Sequence, residues 1–312
     1  MTCPEVSVVI PTRNRSDLAR VAVAAALGQS GVSVEVIVLD DGSTDGTAER
    51  LRQIDDARLR VERNDHRRGV AHARNRGIAA ARAPWVAFLD DDDLWSPDKL
   101  RRQLEAAGAA GFVYAGVVEL TEDRRVIREW PLPAASSVAT LLLVRQVLPA
   151  GSSNVVARTE LLRDLGGFDE QLFQLADWDL WIRLAQATPA AACDELLVGY
   201  VHHRQSMLVT ERANVYDEFR YLRRKHRTLA RRHGVDFDEV TFARWVGVGH
   251  RVAGIHLAAA AVYLRSGVAS RNAGNLLRAV GAVVAAPAMD YVRRRRFADA
   301  SPPEPGWLAA YL

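Results

Sequence analysis

Residues 84–95 read PWVAFLDDDDLW, an apolar run interrupted by four consecutive aspartates, Asp90, Asp91, Asp92 and Asp93. The apolar part, 85–89, has the length and uninterrupted hydrophobicity of a strand buried on both faces. Four adjacent carboxylates at a strand's end repel one another unless a cation or polar ligand occupies the site. The run therefore reads as a divalent-metal site, or as a solvated acidic turn that caps the next helix at Ser96-Pro97. If extended geometry persists, Asp90 and Asp92 share one side and Asp91 and Asp93 the other.

The same pattern recurs upstream. VSVVI (6–10), stopped by Pro11, is a short buried strand, and VEVIVL (34–39) is a second that runs into Asp40-Asp41-Gly42-Ser43. Helical patterns at 16–27, from 47, at 70–81 and at 97–107 alternate with strands at 34–39, 59–62 and 85–89, so a parallel β/α sheet is expected. In such sheets ligands collect beyond the carboxyl ends of the strands. Thr12-Arg13-Asn14, Asp40-Asp41 and Asp90–Asp93 all fall there, and this coincidence favours a functional site. After Gly111 the alternation weakens: a strand is expected at 112–120, a charged hairpin or loop at 121–133 and a helix at 141–148. Further on come a strand at 153–157, a turn at 166–169, a helix carrying Asp177, and a strand at 196–203. From about 207 the pattern changes to long helices rich in Ala, Arg and Leu.

Composition narrows the classes. The 312 residues are 49% hydrophobic and 25% charged, as in globular proteins. A net charge of +3 and a pI near 9.1 suit an anionic substrate but are too mild to argue for nucleic acid. The basicity is almost wholly arginine, since Lys99 and Lys225 are the only lysines. Cys3 and Cys193 have no metal-ligand spacing, and a reducing compartment is the default. The start shows no secretory pattern, and the longest apolar stretch, 252–264, contains His256 and is too short for a bilayer. A soluble or peripheral protein is expected. The basic face at 220–232 and the run Arg293–Arg296 read as solvated surface, or as attachment to a membrane surface or acidic partner.

DDGSTDGT (40–47) has the first half of a calcium loop but lacks the acidic twelfth residue, where Arg52 stands, and a strand precedes it rather than a helix. A turn into a helix explains Gly42, Ser43 and Gly46, leaving Asp40 and Asp41 for ligand contact. Gly-Lys-Ser/Thr and G-x-G-x-x-G phosphate loops are absent, as is the G-x-S-x-G elbow.

VSVVIPTRNR (6–15), EVIVLDDGSTDGT (35–47), GVAHARNRGI (69–78), FLDDDDLWSPDKL (88–100), GGFDEQL (166–172) and ADWDLWIRLA (176–185) resemble, in order, the motifs of the family 2 glycosyltransferases. The resemblance covers roughly residues 5–205. It implies an α/β fold of GT-A type: a nucleotide-binding, mostly parallel sheet flanked by helices, here with a C-terminal α-helical extension. It divides the chain into a transferase domain at 1–205, with a donor half at 1–110 and an acceptor half at 111–205, and a helical region at 206–312.

The resemblance further implies a nucleotide-sugar donor, UDP-linked by preference, an Asp-x-Asp-like motif for Mn²⁺ or Mg²⁺, and inverting transfer to a glycan, lipid-linked or small-molecule acceptor. By the same resemblance Pro11, Thr12 and Asn14 border the nucleotide, Asp41 reads the base, and Arg74 lies near the diphosphate or uracil. Asp90 and Asp91 lie near ribose and donor, Asp92 is the metal ligand, and His203 is a second contact to metal or diphosphate. Asp177 matches the catalytic base, while Ala176 departs from the acidic residue usual before it. Asp177 as a helix cap and His203 as a strand-end histidine are the structural alternatives. A sugar-phosphate nucleotidyltransferase and a non-catalytic binding relative are the rival functions. The expected setting is cytoplasmic, with peripheral attachment at the inner face of the plasma membrane through the basic tail.

Overall fold

The computed structural model describes residues 3–202, 215–252, 254–284 and 304–311. It opens with β1 (Val6–Thr12), α1 (Ser16–Leu27), β2 (Val34–Asp40), α2 (Thr47–Arg52), β3 (Leu59–Arg63), α3 (Val70–Ala80) and β4 (Trp85–Phe88). β1 pairs in parallel with β2 along its whole length and with β4 over Val6–Val9, and β3 pairs in parallel with β2. Val8, Ile10, Val36 and Val38 pack into one core with α1, while Val9, Ile37, Leu39 and Phe88 pack into another with α3 and later helices. Both sheet faces are covered, which explains continuous apolar runs in place of alternation.

β1 does not stop at Pro11. The carbonyl of Val9 accepts from Leu89 and that of Thr12 from Asp41, so Pro11 faces the β4 side, beyond the last β4 pair at Phe88. Its missing N–H costs no ladder bond there.

Next come β5 (Leu94–Trp95), α4 (Lys99–Ala107), β6 (Phe112–Leu120), β7 (Val126–Glu129), α5 (Val138–Leu142), β8 (Val156–Arg158), α6 (Thr159–Asp164), α7 (Ala176–Ala187) and β9 (Ala190–Val201). The sheet order is β3-β2-β1-β4-β8-β6-β9-β5, with β7 beside β6. From β8 onward the pairing is mixed: β8 runs antiparallel to β4 and β6, while β6 and β9 are parallel.

Three expectations in this half need correction. The helix expected at 141–148 is α5, earlier and shorter, because the chain turns after Leu142 and the carbonyl of Val144 serves the amide of Asp238 in the tail. The strand expected at 153–157 is a 3-10 turn, Gly151–Asn154, followed by β8. Asn154 holds this turn, its Oδ1 accepting from Ala115 N and its carbonyl from Gln103 Nε2. β9 starts at Ala190, before the strand expected at 196, because its alanine-rich first half carries little strand patterning.

The tail supplies α8 (Val215–Arg232), α9 (Glu239–Val252), α10 (His256–Ala269) and α11 (Ala273–Val284), with no further strand among the described residues. Phe219, Phe237 and Phe242 surround Trp178 of α7, so the core beneath the sheet continues into α8 and α9. The boundary expected near 205 and the run Arg293–Arg296 lie outside the described residues.

Candidate active site

The ends of β1, β2 and β4 meet. Thr12 donates its hydroxyl to Asp91 Oδ2 at 2.7 Å, and Arg15 Nη1 spans Asp91 Oδ1 at 2.9 Å and Asp92 Oδ2 at 2.8 Å. Asn14, held at φ 54°, donates its N–H to Ser43 Oγ, and its Oδ1 accepts from Thr44 N at 2.8 Å. Asp41 is buried and accepts from Asn64 Nδ2 at 2.7 Å and from the amides of Arg68 and Gly69 at 2.8 Å each. These bonds pin the loop that leads into α3.

On α3, Gly77 lets the helix lie against β1, since a Cβ there would come within 2.3 Å of Val9 Cγ1. One turn earlier the same helix delivers Arg74, whose Nη2 meets Asp90 Oδ1 at 2.5 Å while its guanidinium lies over the Phe168 ring.

The four aspartates turn, with Asp93 N bonded to Asp90 O, yet their burial alternates. Asp91 and Asp93 are buried, whereas Asp90 and Asp92 are half-buried and line a cavity. Burial, with Asp92 adjoining, pushes the Asp91 carboxyl up to about 7 against the pull of Arg15. Burial likewise raises Asp93, which accepts from Val201 N and faces Ser153. Ser153 also takes the Asp90 amide on its Oγ, at 3.0 Å.

The cavity holds about 560 Å³. Arg74, Asp90 and Asp92 line it together with Asp177 on the first turn of α7. Asp177 Oδ1 accepts from Trp178 N at 2.7 Å within the first turn of α7, whose N-cap position is Leu175. Its Oδ2 abuts Gly151, where a Cβ would lie 2.9 Å away. Burial pushes this carboxyl up to about 6, with Arg74 pulling the other way. A carboxylate of that affinity on a cavity wall is suited to accept a proton near neutral pH.

Among the expected site residues, then, Arg74, Asp90, Asp92 and Asp177 share one cavity. Pro11, Thr12, Asn14, Asp41 and Asp91 lie beside it, in the network at the ends of β1 and β2, and do not line it. His203 lies outside the described residues; its neighbour His202 stands 3.3 Å from buried Glu119. Sequence reasoning missed Arg15 as the partner of two aspartates, a pairing across 76 and 77 residues that no local signal announces. It also missed Trp130, Arg145 and Tyr200, and the wall that Asp238, Thr241 and Trp245 of the tail supply.

Among the described residues no group of three His, Cys, Asp or Glu side chains gathers as a cation cage. Asp90 and Asp92 nevertheless present hard oxygen donors to the cavity, and Mg²⁺ commonly takes one or two carboxylates, completing its shell with phosphate and water. The residues fit a cation shared with a diphosphate.

A parallel first half, a mixed second half and an acid-lined cavity define a GT-A fold. Along 96% of the chain it superposes on 82% of the S. aureus TarS 1–349 structure in complex with UDP-GlcNAc, with TM-score 0.59 and 18% identity. Residues 7–157 belong to glycosyltransferase family 2, matching "Glycosyl transferase family 2". It is 42% identical over 162 residues to the succinoglycan biosynthesis protein ExoO of Rhizobium meliloti, covering 50% of this chain and 44% of that protein. It is 36% identical over 99 residues to the Escherichia coli UDP-Glc:alpha-D-GlcNAc-diphosphoundecaprenol beta-1,3-glucosyltransferase WfaP, covering 32% and 39%. The matches span less than half the length of these curated relatives.

Proposed function

We propose that the protein transfers a sugar from a nucleotide sugar, UDP-linked by preference, to a hydroxyl of a glycan, lipid-linked or small-molecule acceptor by a single inverting displacement. The observation that carries this reading is one cavity lined by both Asp177 and the Arg74–Asp90–Asp92 cluster. Asp177 takes the acceptor's hydroxyl proton as the acceptor oxygen bonds to the anomeric carbon. The bond from that carbon to the phosphate oxygen breaks, and the nucleoside diphosphate leaves on the opposite face. Arg74, which lines the cavity, would meet the diphosphate charge. Asp92, with Asp90 beside it, would hold Mn²⁺ or Mg²⁺, which when bound offsets negative charge on the leaving group. Residues 1–205 form the transferase domain in this reading, and the region 206–312 contributes through α9 to the acceptor side.

A thermal-shift panel of UDP-, GDP- and dTDP-sugars with and without Mn²⁺ tests the donor assignment. A UDP-sugar is expected to raise the melting temperature only with metal, since binding at 100 times Kd adds about 2.7 kcal/mol. Pyrophosphate release from a nucleoside triphosphate would instead indicate a nucleotidyltransferase, and no shift with any donor a non-catalytic relative.

The same reading places the protein in the cytoplasm, at the inner face of the membrane. No helix among the described residues is long and apolar enough to cross a bilayer. Supporting a peripheral contact, Leu257 and Val268 of α10 and Leu277, Val280 and Val284 of α11 are 63% exposed or more. Residues 240–289 include five arginines and no acid. An exposed apolar face on a segment of net positive charge suits anionic lipid. Sedimentation with phosphatidylglycerol vesicles is expected, with little on phosphatidylcholine, and Leu277→Glu with Val280→Glu should abolish it. Equal sedimentation of the double variant would refute the contact.

A further inference from the structure

The helix that carries Asp177 begins without a cap of the usual kind. Leu175, at the N-cap position of α7, has no side-chain acceptor, and the chain entering it has amides to satisfy. A residue 43 to 45 positions later supplies what is missing. Glu218 of α8 takes the N–H groups of Phe173, Gln174 and Leu175 on one oxygen, Oε2, at 3.0, 2.8 and 3.0 Å.

The same face of α8 holds the segment at two further points. Tyr221 Oη and Lys225 Nζ donate to Asp169 Oδ2 at 2.9 and 2.6 Å. Lys225 and His226 reach Asp179 Oδ1 at 2.9 and 2.8 Å. Glu218, Tyr221, Lys225 and His226 follow helical spacing, so one rigid element grips residue 169, residues 173–175 and residue 179. Asp177 lies between the last two grips. Phe173, Gln174 and Leu175 also line the cavity, and Phe173 packs under the Arg67 guanidinium, on the loop that Asp41 pins.

We propose that α8 is a strap that sets the attitude of the base, with Glu218 as its main positioning residue. Glu218 touches neither the cavity nor Asp177. It fixes the path of residues 173–175 into α7, and with it the direction in which Asp177 turns Oδ2 toward the acceptor. The proposal rests on Asp177 being the base. Displacement of a reacting group by about 1 Å costs on the order of 10²-fold in rate, so a strap of this kind acts on turnover before it acts on donor affinity.

Glu218→Ala and Glu218→Gln in the full chain test this, with Asp177→Asn as reference. UDP affinity in Mn²⁺, measured by calorimetry, is expected to stay within a few-fold of wild type in both Glu218 variants. With the donor identified by the panel, kcat of Glu218→Ala should fall roughly 10²-fold at unchanged donor KM. Glu218→Gln should recover most of it, because the amide oxygen can accept the same N–H groups. Carbon-detected titration of the Asp177 carboxyl gives a donor-independent readout, and its midpoint should move in Glu218→Ala and return in Glu218→Gln. An unmoved midpoint with unchanged kcat, or a loss shared equally by UDP affinity and kcat, overturns the strap. Should Glu218→Ala not fold, an unmoved midpoint in Glu218→Gln combined with Lys225→Met overturns it as well. Transfer that survives Asp177→Asn refutes the base assignment instead, whatever Glu218 does.

Discussion

Asp177→Asn is expected to bind UDP with Mn²⁺ as the wild type does and to lose transfer by roughly 10²- to 10⁴-fold, the share a positioned general base supplies. The amide keeps the shape that abuts Gly151 and can still accept from Trp178 N through its oxygen, but it has no proton affinity to offer. In the wild type, kcat/KM should rise with pH through about 6, because the base works only when ionised and burial holds its proton to that point. The variant should also be more stable at pH 8. Folded, the carboxyl titrates at about 6; unfolded, near 3.8. Below the lower value both states are protonated and the substitution changes little. Above the upper value the wild type bears a half-buried charge whose desolvation costs about 1–3 kcal/mol, and asparagine bears none. Full transfer activity, or a melting temperature lowered at pH 8, would contradict this account of Asp177.

Asp92→Asn is expected to remove the metal dependence of donor binding. The residue is one of two carboxylates of the acidic run that line the cavity, and its other partner, Arg15, keeps Asp91 after the substitution. The network at the strand ends should therefore survive, and the loss should appear as weaker UDP affinity in Mn²⁺, by about 10- to 100-fold, with little change without it. Calorimetric titration of UDP under both conditions separates the cases. An unchanged affinity in Mn²⁺ would move the cation site elsewhere.

Much of the first half was legible in the sequence for a physical reason. Strands buried on both faces leave apolar runs that no other element of that length needs, and VSVVI, VEVIVL and WVAFL stand where β1, β2 and β4 lie. The alternation of Asp90 and Asp92 against Asp91 and Asp93 was also readable, and it survives a turn in place of the strand. What could not be read are bonds whose partners are remote. Arg15 reaches Asp92 across 77 residues, and Asn154 holds its turn through Ala115, 39 residues away. Nothing in Gly-Ser-Ser-Asn itself separates a buried 3-10 turn from a strand. The tail wall was hidden likewise, since Trp245 and Asp238 look like ordinary helix-surface residues until α9 is folded against the cavity.

Gly151 has an evolutionary consequence. At φ +47° and with a hypothetical Cβ 2.9 Å from Asp177 Oδ2, it leaves no room for a side chain and little tolerance for one in backbone terms. Position 151 therefore resists drift, because a Cβ there presses on Asp177 and the backbone there disfavours a side chain. The cavity rim is open to it: Arg145 and Trp245 are exposed and bear on neither Asp177 nor the aspartate run. New acceptors would be acquired by rewriting that rim around a floor that stays bare.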